Sequence, residues 1–88
     1  MEILREAVAG SLESCDCLVM VKPYETLKVD IESVVMERYG RRIKQIVEDT
    51  IRELGIVKGY FKVQDRGALD YCIRARLKSA IRRANLRC

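Results

Sequence analysis

A chain of 88 residues, 49% hydrophobic and 34% charged, has room for one domain with a small core; it is too apolar for a disordered chain and too charged for a membrane span. A net charge of +4 and a pI near 9.0 favour anionic partners, such as nucleic acid, phosphorylated cofactors or an acidic protein surface. The longest apolar run, residues 17–21, is far short of a bilayer, and Met1-Glu2-Ile3-Leu4-Arg5-Glu6 carries no signal-peptide pattern, so a cytoplasmic location is expected.

Residues 7–12 make a weak strand candidate, with Gly10 inside it. Residues 17–21 are apolar on both phases, which predicts a central strand, and Pro23-Tyr24-Glu25 turns the chain after it. Leu27, Val29 and Ile31 alternate with Lys28, Asp30 and Glu32, the period of a half-buried strand. A helix is predicted over residues 34–54. Met36, Tyr39, Gly40, Ile43, Val47, Thr50, Ile51 and Leu54 recur on one face, and Glu37, Arg41, Lys44, Glu48 and Arg52 fill the other. Ser33 suits its N-cap and Gly55 the left-handed position that stops it. Gly40, inside the helix, costs about 1 kcal/mol relative to alanine, which a close contact with the sheet would explain.

Val57, Gly59, Phe61 and Val63 alternate with Lys58, Tyr60 and Lys62 and predict a fourth strand. A second helix is predicted over residues 68–84, burying Leu69, Ile73, Leu77, Ala80 and Ala84, with Ile81 at one edge. Asp70 falls in its first turn, where the helix dipole favours a carboxylate, and four residues before Arg74, the favourable order for a helix ion pair. Arg76 lies near the edge of the apolar stripe, where its stem packs and its head reaches water. The third strand, first helix and fourth strand make a parallel, right-handed crossover, and the earlier strands pair as hairpins. The expected class is α+β: one small mixed β-sheet of about four strands with two amphipathic helices packed on one face, in the order β-β-β-α-β-α, and residues 1–88 forming a single domain.

The chain has no histidine, the commonest general base and the usual activator of serine and cysteine nucleophiles, so a self-sufficient hydrolase is not expected. Four cysteines are present, Cys15, Cys17, Cys72 and Cys88. Without a secretory signal they are expected as reduced thiols, and one C-x-C with two solitary cysteines does not match the usual C-x2-C pairing of zinc sites. No metal site is expected. The positive charge gathers at Arg74, Arg76, Lys78, Arg82, Arg83 and Arg87.

Three stretches bear on chemistry. Glu13 to Asp16 is a tight polar connection between two strands, read either as an ordinary hairpin turn or as a loop presenting Ser14 to a modifying enzyme. Asp65-Arg66-Gly67-Ala68-Leu69-Asp70 turns the last strand into the last helix. Lys58-Gly59-Tyr60 begins like an RNA-recognition strand, but Phe61 then takes the small-residue place and Lys62 the next aromatic place, so the match is a coincidence of strand composition.

The stretch from Ala7 through Ser14, followed by Asp16, resembles the N-terminal motif of the citrate lyase acyl carrier protein (gamma chain) family. Asp65-Arg66-Gly67-Ala68-Leu69-Asp70-Tyr71-Cys72-Ile73-Arg74-Ala75-Arg76 resembles that family's second motif, and Glu32-Ser33-Val34-Val35 through Tyr39-Gly40 its helix start. Cys15 and Cys17 depart from the residues expected there. The resemblance implies an acyl carrier domain over residues 1–88. Ser14 would carry 2'-(5''-phosphoribosyl)-3'-dephospho-coenzyme A through a phosphodiester, and the terminal thiol would hold acetyl and citryl groups while citrate is cleaved to acetate and oxaloacetate. The implied partners are the citrate lyase alpha (acyltransferase) and beta (lyase) subunits and a prosthetic-group transferase, with no nucleic acid and no membrane. The carrier itself is expected to be non-catalytic. Carriers of citramalate lyase or malonate decarboxylase are the near alternatives, and a small basic nucleic-acid-binding module is the alternative of another class.

Overall fold

The computed structural model describes residues 1–86; Arg87 and Cys88, members of the arginine cluster and the cysteine set, lie outside the described residues. The elements follow in the predicted order: β1 (Ala7–Gly10), β2 (Cys17–Lys22), β3 (Leu27–Ser33), α1 (Met36–Glu53), β4 (Gly59–Asp65) and α2 (Asp70–Asn85). They form one mixed sheet with strand order β1-β2-β4-β3. β1 pairs antiparallel with β2, β2 antiparallel with β4, and β3 parallel with β4, the crossover running through α1. β2 and β3 do not form the expected hairpin, because β4 lies between them. Every second residue of β4, from Gly59 to Asp65, is buried, whereas β3 reaches at most partial burial and so takes the edge.

Both helices cover one face. Ala9, Cys17, Val19, Val21, Phe61 and Val63 rise from the sheet to meet Ile43, Val47 and Ile51 of α1 and Ile73, Leu77 and Ile81 of α2. Leu18, Met20, Tyr60, Lys62 and Gln64 point to the other, open face and stay half-buried. Among the described residues no helix is long and apolar enough to cross a membrane.

Several details differ from the periodicity. Ser33 ends β3 rather than capping α1; Val35 holds the cap position, and the Ser33 hydroxyl accepts its N–H at 3.0 Å. At the other end Gly55, with φ 69°, stops the helix as expected: its N–H bonds the Arg52 carbonyl and that of Ile56 bonds Ile51, a Schellman arrangement. Gly40 faces the thioether of Met36, one turn earlier in its own helix, and not the sheet. Ile46 is buried although the predicted stripe omits it, while Met36 and Tyr39 are exposed. Leu69 stands out of the core, as do Leu27 and Val57, the latter lying before β4 begins. Asp70 pairs with Arg42 of α1 at 2.6 Å instead of with Arg74, so its charge ties two helices together rather than two turns of one.

The N-terminal segment packs back against the end of α2. Leu4 N–H donates to the Ala84 carbonyl at 3.0 Å, and the Asn85 amide donates to the Glu2 carbonyl at 2.8 Å. Ile3 lies against Gly59 at the start of β4, so these contacts sit at the end of the sheet away from the β1–β2 connection.

Candidate functional site

The connection between β1 and β2 is a short, pinned turn. Gly10 leaves β1 at φ 96°, and a Cβ there would meet the Cys17 carbonyl oxygen at 1.9 Å, so only glycine fits. Ser11 N–H then bonds the Cys17 carbonyl at 3.1 Å, and Asp16 N–H bonds the Glu13 carbonyl at 3.1 Å. Cys15 takes a left-handed φ of 66°. Leu12, Glu13, Ser14 and Cys15 are all exposed at the tip, and among the described residues no hydrogen bond engages the Ser14 hydroxyl. Ser11, the nearest other hydroxyl, lies just past β1 and is occupied. It donates to Asp16 Oδ2 at 2.6 Å and accepts the Glu13 N–H at 3.3 Å.

Asp16 anchors the turn to α2. Arg76 donates through Nε to Oδ1 at 3.1 Å and through a terminal nitrogen to Oδ2 at 3.0 Å, and Cys17 N–H adds a bond to Oδ1 at 2.7 Å. Arg76 is therefore a paired cation and not the snorkelling side chain its place on the helix suggests. Arg76, the Ser11 hydroxyl and the Cys17 N–H together hold the Asp16 carboxyl well below the usual carboxylate range. The adjoining Cys17 thiol is pushed up to about 12, first by burial and then by the neighbouring Cys72 and Asp16. Donor atoms of Asp16, Cys17 and Cys72 lie within 4.8 Å of one another. The carboxylate is already engaged by Arg76, Ser11 and Cys17 and the Cys17 thiol stays protonated, which makes this trio an ion-pair shell and a poor metal donor set. Cys15 is exposed and outside it, so the C-x-C pair does not converge.

A second stretch closes on the same turn. Cys15 N–H donates to the Arg66 carbonyl at 2.8 Å, and Arg66 N–H donates to the Asp16 carbonyl at 2.9 Å. Just before Arg66, Asp65 is buried. Its carboxylate accepts the Ser33 hydroxyl at 2.7 Å and the Ala68 N–H at 2.9 Å, tying the end of β3 to the start of α2, while Gly67 turns the chain at φ 92°. All three sequence stretches that carry the family resemblance thus meet at one end of the sheet, where α1 and α2 also begin.

That end suits a phosphate-linked group. It offers a free exposed hydroxyl at Ser14, the positive ends of two helix dipoles, and Arg66, an exposed cation with no ion pair among the described residues. Elsewhere the basic cluster is partly spent inside the fold: besides Arg76, Lys78 pairs with Glu53 at 3.9 Å and Arg83 donates to the Val8 carbonyl at 2.6 Å. The RNA-like run does not form a stacking platform, since Phe61 is fully buried and Tyr60 alone faces outward, its hydroxyl bonded to Asp30.

Sequence reasoning finds the turn and misses its fastenings. Asp65 has a signal: it continues the alternation of Phe61 and Val63, which puts a carboxylate on the buried face. The Asp16–Arg76 pair has none, because its partners are 60 residues apart.

Comparison with known proteins agrees with this assembly of motifs. The family model "ACP: Malonate decarboxylase delta subunit (MdcD)" matches residues 4–84, which places the chain in a class of small acyl carrier subunits. Citrate lyase acyl carrier proteins are similar over almost the whole length. That of Pectobacterium atrosepticum is 49% identical over 96% of this chain and 88% of its own, and that of Treponema denticola is 44% identical over 97% and 98%. The protein of Halothermothrix orenii is 43% identical over 97% of this chain and 92% of its own. The chain belongs to the citrate lyase acyl carrier protein family. A chain in the crystal structure of a Pseudomonas malonate decarboxylase hetero-tetramer in complex with malonate shares the fold, with a TM-score of 0.83 and 19% identity over 94% of this chain and 87% of that one.

Proposed function

We propose that this chain, as a single carrier domain, is the acyl carrier subunit of a citrate lyase, and that Ser14 carries the phosphoribosyl-dephospho-coenzyme A arm through a phosphodiester. When bound, that group supplies a terminal thiol able to hold acyl groups as thioesters. The chain's own residues hold and present it. The observation that carries the reading is the Ser14 hydroxyl, exposed and unbonded on a turn fastened by Asp16 to Arg76 and by Cys15 and Asp16 to Arg66. A rigid base fixes where the arm starts, and tethering makes each delivery an intramolecular event at high local concentration. The chain has no histidine, and on this reading the reactions belong to the alpha (acyltransferase) and beta (lyase) subunits, while a dedicated transferase installs the arm in the cytoplasm.

Co-expression with that transferase is expected to add one arm by intact mass, mapped to the Ser14 peptide, and Ser14→Ala to abolish the addition while the domain stays folded. An arm on Ser11, or one retained in Ser14→Ala, would overturn the assignment. The purified chain alone is expected to show no citrate cleavage.

A second reading, a carrier for malonate decarboxylase, is favoured by the description of the matching family model and by the fold of the solved chain. Reconstitution separates the two: the loaded carrier is expected to restore citrate cleavage to citrate lyase alpha and beta subunits, and not malonate decarboxylation to that enzyme's large subunits.

A further inference from the structure

Beside the serine turn, α1 and α2 leave an open cleft of about 520 Å³ between their first turns. That volume is within the range of small-ligand sites. Tyr39, Ile43, Ala68, Leu69, Tyr71 and Ile73 give it its walls. Leu69 and Tyr71 are 61% and 69% exposed, large apolar surfaces that nothing in the fold covers. An uncovered apolar patch is the informative departure from ordinary surface composition.

The charged groups at the cleft are already engaged. Arg42 of α1 and Asp70 of α2 pair with each other at 2.6 Å, and the Asp65 carboxylate is taken by Ser33 and Ala68. What remains is apolar wall with two tyrosine rings and hydroxyls. Such a lining takes an uncharged chain of methylenes and amides and disfavours a free ion.

The cleft is joined to the turn through one residue. Arg66 exchanges two backbone hydrogen bonds with Cys15 and Asp16, and the residues after it, Gly67 and Ala68, are cleft wall. Arg66, with no ion pair among the described residues, lines a neighbouring hollow with Glu32, Ser33 and Gln64, and the apolar cleft begins at the next residue, Gly67. An exposed cation near the turn and an apolar cleft beside it match a ligand that is phosphorylated at its attached end and uncharged toward its far end.

We propose that this cleft shelters the uncharged, thiol-bearing end of the arm between deliveries. The inference rests on the carrier reading above. Its benefit is chemical: a thioester is lost when water attacks its carbonyl carbon and the sulfur leaves as thiol, and apolar walls keep water from that carbon.

The test uses the full chain, loaded by the transferase and acetylated on the arm, with loading verified by intact mass. Amide NMR of loaded against unloaded protein is expected to shift Tyr39, Ala68, Leu69 and Tyr71 as well as the turn. Acetyl loss to hydroxylamine is expected to be several-fold slower than from the protease-released Ser14 peptide carrying the same arm. Leu69→Asp puts a charge at the cleft wall, at an exposed N-cap position where aspartate is favoured, so the fold survives and circular dichroism verifies it. It is expected to load normally and to lose both the distant shifts and the protection. A loaded protein whose shifts stop at Glu13–Asp16, and whose acetyl is lost at the peptide's rate, overturns the sheltering cleft and leaves the carrier reading standing. No arm on Ser14 after co-expression overturns both.

Discussion

Arg76 grips Asp16 with two nitrogens across 60 residues of sequence, and that grip joins the serine turn to the helix that closes the fold. With Arg76, the Ser11 hydroxyl and the Cys17 N–H all favouring the charged form, the carboxyl titrates below its ordinary 3.8. A depressed carboxyl pKa contributes stability that is complete above the unfolded value and is lost as pH falls toward the folded one. Wild type is therefore expected to lose stability below pH 3.8 more steeply than Asp16→Asn, which lacks the titrating group. Thermal melts across the acid range check this, and parallel acid slopes for the two proteins would remove Asp16 from the account.

Cys17 gives the opposite dependence. Burial and nearby negative groups raise its thiol from 9.0 to about 12, so its contribution is intact below pH 9.0 and is lost as pH climbs toward 12. Alkaline melts of wild type against Cys17→Ala are expected to converge over that interval. In the native state a thiol reagent at mildly alkaline pH is expected to label exposed Cys15 and to reach Cys17 only after unfolding, as mapped by mass spectrometry.

Two glycines are expected to respond with opposite sign. Gly10→Ala puts a Cβ at 1.9 Å from the Cys17 carbonyl and forces alanine to φ 96°, a loss of about 3 kcal/mol or more. Gly40→Ala meets only the flexible end of Met36, which can swing aside, so the gain in helix propensity dominates and about 1 kcal/mol is added. Urea denaturation of the three proteins decides both signs.

Asp65→Ala leaves the partly buried Ser33 hydroxyl and Ala68 N–H without their acceptor. The expected cost is about 1 kcal/mol for each bond lost, since both donors keep some access to water. Hydrogen exchange should quicken at Ala68 and Val35 together, since one carboxylate organises both sites; faster exchange at Ala68 alone would mean that Ser33 is held some other way.

The elements were readable because their periods differ: two in Leu27–Ile31 and Phe61–Val63, and near 3.6 in Ile43–Ile51 and Ile73–Ala84. Gly55 carried its own stop signal. The place of β4 between β2 and β3 was not readable, because strand order follows from which strand buries more once all are assembled. Leu69 misled for a related reason, since helical spacing shows which residues share a face but not how far a partner extends along it. At the site, the exposure of Ser14 could be inferred from its polar neighbours Glu13 and Asp16. The fastening of that turn could not, because an ion pair between distant residues leaves no local pattern.

The bond between the Asn85 amide and the Glu2 carbonyl brings the two ends of the described chain together, at the end of the sheet away from Ser14. A fusion partner or surface anchor attached at either end would therefore extend from the rear of the domain. One immobilised orientation would leave the serine turn facing solution, so the domain could be arrayed on a sensor chip and probed by transferase and lyase subunits without its mounting standing in their way.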